Sequence, residues 1–307
     1  MAIIARPVIA FGCSIIAPDV YERGAKAGLD RAVEPGSVVY AHAACGSVAR
    51  SYNLLFDRAA KLPDLEALAI VHEDAEIVDP EFCAKLRVLF ADPEVGVVGC
   101  LGARGVGDIA WWDGVLTRSS ARTRYGELGG GELRFETDAA ASPGDVDTVY
   151  GVVMAFSPWV VRNIRFEESV GLLHGYDFDI CRKARRAGKK VVSAELAVVH
   201  HHSLDLIEDI EIWVAAHMRA AELWDESGPE DADDQAWKER ARRAEARAAA
   251  ARLLAATELL RLDATATECQ RQQEEIEGSR SWRLTASLRR GNALRRSVGQ
   301  RLEDLRA

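Results

Sequence analysis

Apolar residues in the first hundred positions fall into short runs, separated by stretches with a helical period. Pro7 to Ile16 is a nearly continuous apolar run, as a strand buried on both faces requires. Asp19 can cap a following helix, which the Pro35-Gly36 pair stops after Ala32. Ser37 to Ala43 reads as a second strand. Ser47 can then cap a helix with Val48, Tyr52, Leu55, Phe56 and Ala59 on one face. Leu65 to Val71 is a third strand. Pro80 opens a helix that turns Phe82, Leu86, Leu89 and Phe90 inward, and Val95 to Leu101 is a fourth strand. This alternation predicts an α/β fold with a mostly parallel sheet and helices on both faces. Ligands of such sheets bind beyond the carboxyl ends of the strands, so chemistry is sought first after Val71.

Regularity fades between Gly102 and Pro143, a glycine-rich connection carrying Trp111-Trp112; connections this long are usually functional or disordered. A strand is expected from Asp147 to Phe156 and a short helix after Pro158. A helix from Phe178 to Ala187 closes at Gly188, and a strand from Lys190 to Val199 runs into His200-His201-His202. Asp225 to Asp234 is an acidic linker. Residues 234–277 lack proline and glycine and predict a helix of about 65 Å, without clean heptads. The expected organisation is a domain over 1–224, linker and long helix over 225–278, and a tail over 279–307.

The formal net charge of −9 disfavours a nucleic-acid partner. The tail holds eight arginines against Glu303 and Asp304, a balance of +6, which leaves −15 on residues 1–278. In the tail Leu284, Leu288, Leu294, Val298, Leu302 and Leu305 recur mostly at helical spacing, with Trp282 at the edge. A basic amphipathic helix on an anionic membrane surface and a solvated tail both fit that pattern. The six cysteines lack metal-site spacing and imply a reducing compartment. No apolar run has the length of a membrane span. Arg6 and Val8 to Ala17 loosely imitate a signal peptide, but no clear cleavage site follows, so a cytoplasmic location is expected.

Three clusters could carry chemistry. Acidic groups in His72-Glu73-Asp74-Ala75-Glu76, at a strand end, can hold a hard cation that neutralises a departing diphosphate. A solvated strand end accounts for that cluster equally well. In His174-Gly175-Tyr176-Asp177-Phe178-Asp179, Asp179 suits the helix start, while Asp177 could accept a proton from a hydroxyl. Both could equally serve the helix alone. His200-His201-His202 offers imidazole ligands, although alternation along a strand prevents all three from sharing one role.

Order gives these clusters meaning. Ser51-Tyr52-Asn53, Ile70 to Glu76, Asp92 to Gly99, Asp147 to Phe156, Phe166-Glu167-Glu168, Tyr176 to Asp179 with Ala187-Gly188, and His200 follow one another. The chain thereby resembles the family 2 glycosyltransferases of GT-A fold, and most closely the streptomycin-biosynthesis glycosyltransferase-like branch, over residues 7 to 205. The resemblance implies a nucleotide-sugar donor, a saccharide or lipid-linked acceptor, and a divalent metal (Mn or Mg). It implies Asp177 as general base of an inverting displacement, and Asp74 and His200 as metal ligands. His72, Asp74, Tyr52 and Asn53 are implied on the donor side, and Asp147, Gly151, Trp111 and Trp112 on the acceptor side. Surface polysaccharide or glycoconjugate assembly is the implied setting, at the inner face of the cell membrane. Three positions depart from the pattern: His72 stands where the family places an aspartate, Tyr40-Ala41-His42 lacks the base-reading aspartate, and Gln-x-x-Arg-Trp is missing. These departures motivate the alternative of a catalytically silent scaffold that associates through the 234–277 helix.

Overall fold

The computed structural model describes residues 8–106, 116–119, 121–125, 132–134, 144–202, 210–224 and 232–287. Trp111 and Trp112 lie outside these residues, as do 288–307 of the tail.

The first strand, β1 (Val8–Ile15), leads into α1 (Pro18–Arg23) and α2 (Ala25–Ala32). The single helix expected from Asp19 is therefore two. Its break falls at Gly24, where the Ala25 amide leaves the helix ladder and donates to the Glu73 carbonyl, 3.1 Å away. Next come β2 (Val38–Ala43), α3 (Val48–Ala59) and β3 (Leu65–Val71). Ser47 caps α3 as expected, its hydroxyl accepting from the Arg50 amide at 3.1 Å. After β3 follow β4 (Ala75–Ile77), α4 (Phe82–Phe90) and β5 (Val95–Gly99).

The stretch expected to be irregular contains β6 (Leu101–Arg104), β7 (Leu116–Ser119), β8 (Ala121–Tyr125) and β9 (Glu132–Arg134). Then come β10 (Gly144–Asp145), β11 (Thr148–Val149), β12 (Val153–Phe156), α5 (Pro158–Asn163), α6 (Tyr176–Arg186), β13 (Lys190–Ser193) and β14 (Val198–His202). Three expected strands are thus divided, 95–101 into β5 and the start of β6, 147–156 into β11 and β12, and 190–199 into β13 and β14. In each case the halves join different sheets. The chain continues as α7 (Ile210–Leu223), α8 (Ala232–Gly278) and α9 (Arg280–Leu284).

The central sheet has seven strands in the order β10-β13-β5-β12-β3-β1-β2. Pairings β1–β2, β1–β3 and β13–β5 are parallel; β12 runs against both β3 and β5, and β10 against β13. Alternate residues of the strands feed two cores. Ile9, Phe11 and Cys13 of β1 and Ala67, Ala69 and Val71 of β3 meet α2 and α4. Ala10, Leu68 and Ile70 meet α3, α5 and α6 on the other face. This is the mainly parallel, doubly covered α/β architecture that the alternation predicts. Smaller sheets, β11-β6-β7 and β4-β14-β8-β9, complete it.

The chain forms two compact units, one running to Ala256 and one from Thr257. The first unit reaches past the expected boundary at 224, because Ala246, Ala249 and Ala250 of α8 bury against Trp213, Val214 and Met218 of α7. In the second unit most described residues up to Gly278 are exposed. Its helix carries side-chain pairs one turn apart, Arg261–Glu258 and Arg271 with Glu268 and Glu275. No helix among the described residues is long and apolar enough to cross a membrane.

Candidate active site

A tight turn follows β3, with the Ala75 amide donating to the His72 carbonyl at 2.9 Å. The turn folds Asp74 back over His72, so that His72 Nδ1 and Asp74 Oδ1 lie 2.7 Å apart. Antiparallel pairing of β4 with β14 sets His200 opposite Ala75, and the His201 amide donates to the Asp74 carbonyl at 2.7 Å. His200 Nε2 consequently lies 3.2 Å from the same Asp74 oxygen. His72, Asp74 and His200 each offer one ligand atom within 4.8 Å of the others. The family resemblance implied Asp74 and His200 as metal ligands and His72 beside Asp74 on the donor side; the turn brings His72 into the same cluster.

Charge in this cluster is strongly coupled. Burial alone would raise the Asp74 carboxyl, but His72 and His200 outweigh it and hold it far below the carboxylate range. Burial likewise pulls His72 down, and the Asp74 charge and hydrogen bond overcome this and keep it raised. Ligand atoms about 2.1 Å from one cation stand about 3.0–3.4 Å apart when adjacent, which the 3.2 Å separation of His200 and Asp74 matches. The residues therefore fit a divalent cation.

Neighbours of the cluster face other ways. The Glu73 carboxylate accepts from the Ile16 and Ala17 amides at 2.6 and 2.9 Å, clamping the turn between β1 and α1. Asp19, expected to cap the helix, lies instead in the first turn of α1, whose N-cap residue is Ala17 and which has no side-chain cap. His201 points opposite to His200 and meets Glu76 at 2.6 Å, where Arg31 also pairs with Glu76.

Asp177 lies in the first turn of α6, which starts two residues earlier than expected, after Gly175 at φ +80°. Its side chain is buried; Oδ1 accepts from the Phe178 amide at 3.0 Å and Oδ2 from the Gly151 amide at 3.3 Å. Burial pushes its carboxyl up to about 6, against the opposing pull of those amides and of His72. Asp177 and His72 thus fall within each other's electrostatic reach. Gly151 is there because a Cβ at that position would run into the Tyr176 hydroxyl. Asp179 serves the fold: its Oδ2 accepts from the Glu167 amide and from Lys183, both at 2.8 Å.

The remaining expected residues sit away from this centre or have other partners. Tyr52 is buried against Phe166 and Tyr176, with ring centroids 5.5 and 5.4 Å away. Asn53 donates to the Phe166 carbonyl at 3.1 Å and accepts from its amide at 2.9 Å. Asp147 accepts from the Gly105 and Val106 amides at 2.5 and 3.3 Å and pairs with Arg185 at 2.9 Å. Packing and loop anchoring occupy all three side chains.

A mainly parallel sheet with a cation-fitting cluster at a central strand end, beside a buried carboxylate, defines a protein of the GT-A glycosyltransferase class. The chain belongs to the glycosyltransferase-like family, whose model matches residues 37–228, more than half of its length. Among curated proteins, the streptomycin biosynthesis protein StrF of Streptomyces griseus is 29% identical over 200 residues, spanning 64% of this chain and 67% of that protein. Among solved structures, the mannosyltransferase PcManGT of Pyrobaculum calidifontis, in complex with GDP-Man and Mn2+, superposes with a TM-score of 0.46 at 14% identity, covering 91% of this chain and 83% of that one. A197 from STIV superposes with a TM-score of 0.41 at 14% identity, covering 64% and 87%.

Proposed function

We propose that the protein transfers a sugar from a nucleotide-sugar donor to an acceptor hydroxyl, with inversion at the anomeric carbon. The observation that carries this reading is the placement of Asp177. A buried carboxylate with its pKa near 6 stands beside a His/Asp cluster fit for a cation. A group that ionises just below neutral pH is matched to taking a proton from a hydroxyl. His72, Asp74 and His200 would hold the cation, which when bound supplies positive charge to the diphosphate leaving group. Asp177 Oδ accepts the acceptor's proton as its oxygen attacks. The Gly151 and Phe178 amides orient that carboxylate, and Glu73 keeps the neighbouring β1–α1 turn in place.

Donor turnover tests the reading. A panel of nucleotide sugars with Mn2+ is expected to contain one that is hydrolysed or transferred, and Asp177→Asn is expected to abolish that turnover. Turnover equal in the variant would remove Asp177 from the role. No turnover of any donor, by a protein that also ignores nucleoside diphosphates, would favour the silent scaffold.

A saccharide or lipid-linked acceptor of surface polysaccharide assembly is part of the same proposal. The basic segment 279–307 would bring the enzyme to an anionic membrane face. The long helix exposes Leu259, Leu262 and Ile276, which could serve self-association. Sedimentation with anionic vesicles and equilibrium ultracentrifugation test these two points.

A further inference from the structure

The edge of a sheet is a ready template for another strand, and folded chains blunt it with charges or keep the edge strand short. Among the described residues, five of the edge strands follow that rule. β10 and β11 are two residues long. β4 contains Glu76, β7 contains Arg118, and β9 contains Glu132 and Arg134. The remaining edge, β2 of the central sheet, does neither. It runs for six residues, Val38–Ala43, with no charge and no proline.

Its outer side is open to pairing. The Ala44 amide donates to the Ile15 carbonyl at 2.7 Å. Alternation along the strand therefore turns the backbone groups of Val38, Tyr40 and His42 toward β1, and those of Val39, Ala41 and Ala43 outward. Among the described residues no strand pairs with this outer row. The Ala43 carbonyl meets only the His42 ring, whose Nδ1 lies 2.8 Å away. The side chains of Val39, Ala41 and Ala43 are exposed too, and all are apolar. Helices leave the edge uncovered, because α3 packs chiefly over β1 and β3, and α2 against β4.

We infer that β2 pairs antiparallel with β2 of a second copy of this chain, about a two-fold axis at Ala41. Charge and symmetry select that occupant. Each chain carries −9, so two copies repel wherever their charged surfaces meet. Residues 37–49 hold no Asp, Glu, Lys or Arg, so this edge can approach itself without that repulsion. A two-fold contact also demands a surface complementary to itself. Centred on Ala41, the outward row meets that demand: Ala41 faces its own copy, and Val39 faces Ala43 in reciprocal backbone bonds. Pairing along one short edge buries less than the roughly 1,200 Å² of a standard interface, so the dimer should form reversibly with concentration. The Asp74 cluster lies at the end of β3, two strands further in, and the pairing does not depend on the proposed transfer reaction.

Sedimentation velocity of the full chain, from micromolar to millimolar concentration, should show a growing dimer. Amide exchange resolved by nuclear magnetic resonance locates the contact. The Val39, Ala41 and Ala43 amides should slow as the dimer forms, while those of Tyr40 and His42 stay as they are. Ala41→Pro removes an outward N–H and spares the bonds to β1, since proline is tolerated on an edge. Ala41→Lys sets like charges against each other at the axis. Each should weaken the dimer at least about 10-fold, with circular dichroism confirming the fold. A chain with both Leu259→Ser and Leu262→Ser, altered only on the exposed part of α8, should dimerise like the parent. The inference is overturned by a monomer throughout the range, or by a dimer that both folded Ala41 variants leave unchanged. It is equally overturned if the three outward amides exchange alike in monomer and dimer, or if the paired leucine variant abolishes the dimer.

Discussion

Asp177 sets chemistry against folding. Its carboxyl has an ordinary value of 3.8 and a folded value of about 6, so between these the folded chain holds the extra proton. Stability contributed by this group therefore falls as pH rises through that window, and the loss is complete above it. Asp177→Asn removes the loss. Urea denaturation should find the variant more stable than the parent at pH 8, by about 1–3 kcal/mol, with the advantage gone near pH 4. The same substitution should lower transfer about 10²–10⁴-fold, and the parent's kcat/KM should rise with pH through about 6. A stability difference that does not change between the two pH values would place the ionisation elsewhere. Glu73 offers a second check at this scale. Glu73→Ala leaves the Ile16 and Ala17 amides without their carboxylate and should cost about 1–3 kcal/mol, with faster hydrogen exchange at those two amides.

At the scale of elements, the site depends on how closely α2 approaches β4. A Cβ on Gly28 would strike the backbone at Ile77, directly after the turn that carries Asp74. Gly28→Ala should therefore lower stability by about 1–3 kcal/mol, measured by thermal melting, and weaken Mn2+ binding by shifting β4. Elements whose burial follows a simple period were legible in the sequence. Leu65–Val71 is a strand over the expected residues, and Ser47 caps α3. What could not be read were interruptions imposed by distant partners. The break at Gly24 comes with the bond from the Ala25 amide to the Glu73 carbonyl, and the division between β11 and β12 comes with pairing in different sheets, β11 with β6 and β12 with β3 and β5. Strands β7 to β9 take their order from pairing, β8 alongside β14, which no local period records. Within the site, motif order anticipated that Asp74 and His200 meet, and alternation separated His200 from His201. The contact of His72 with Asp74 and the anchoring duties of Glu73, Asp147 and Asp179 arise only from hydrogen bonds that the fold makes.

For the molecule as a whole, the hydrophobic core lies almost entirely in the unit that ends at Ala256. The buried residues run from Ile9 to Ala250, and none of the described residues from Thr257 onward is buried. Exposed surface ion pairs add little stability, so the later helix should be the first region to open. Limited trypsin digestion should cut first at exposed sites such as Arg261, Arg271, Arg280 and Arg283, leaving a resistant fragment that still unfolds cooperatively. Early cleavage between Val8 and Leu101 would contradict that division. The central claim is that this fold carries a nucleotide-sugar site organised around Asp74. Its most direct test is isothermal titration of the full chain with nucleoside diphosphates, with and without Mn2+. One nucleotide should bind with Mn2+ present, bind far more weakly without it, and lose the metal-dependent part in Asp74→Asn. Failure of every nucleotide to bind under either condition, or binding indifferent to both Mn2+ and Asp74, would contradict the account.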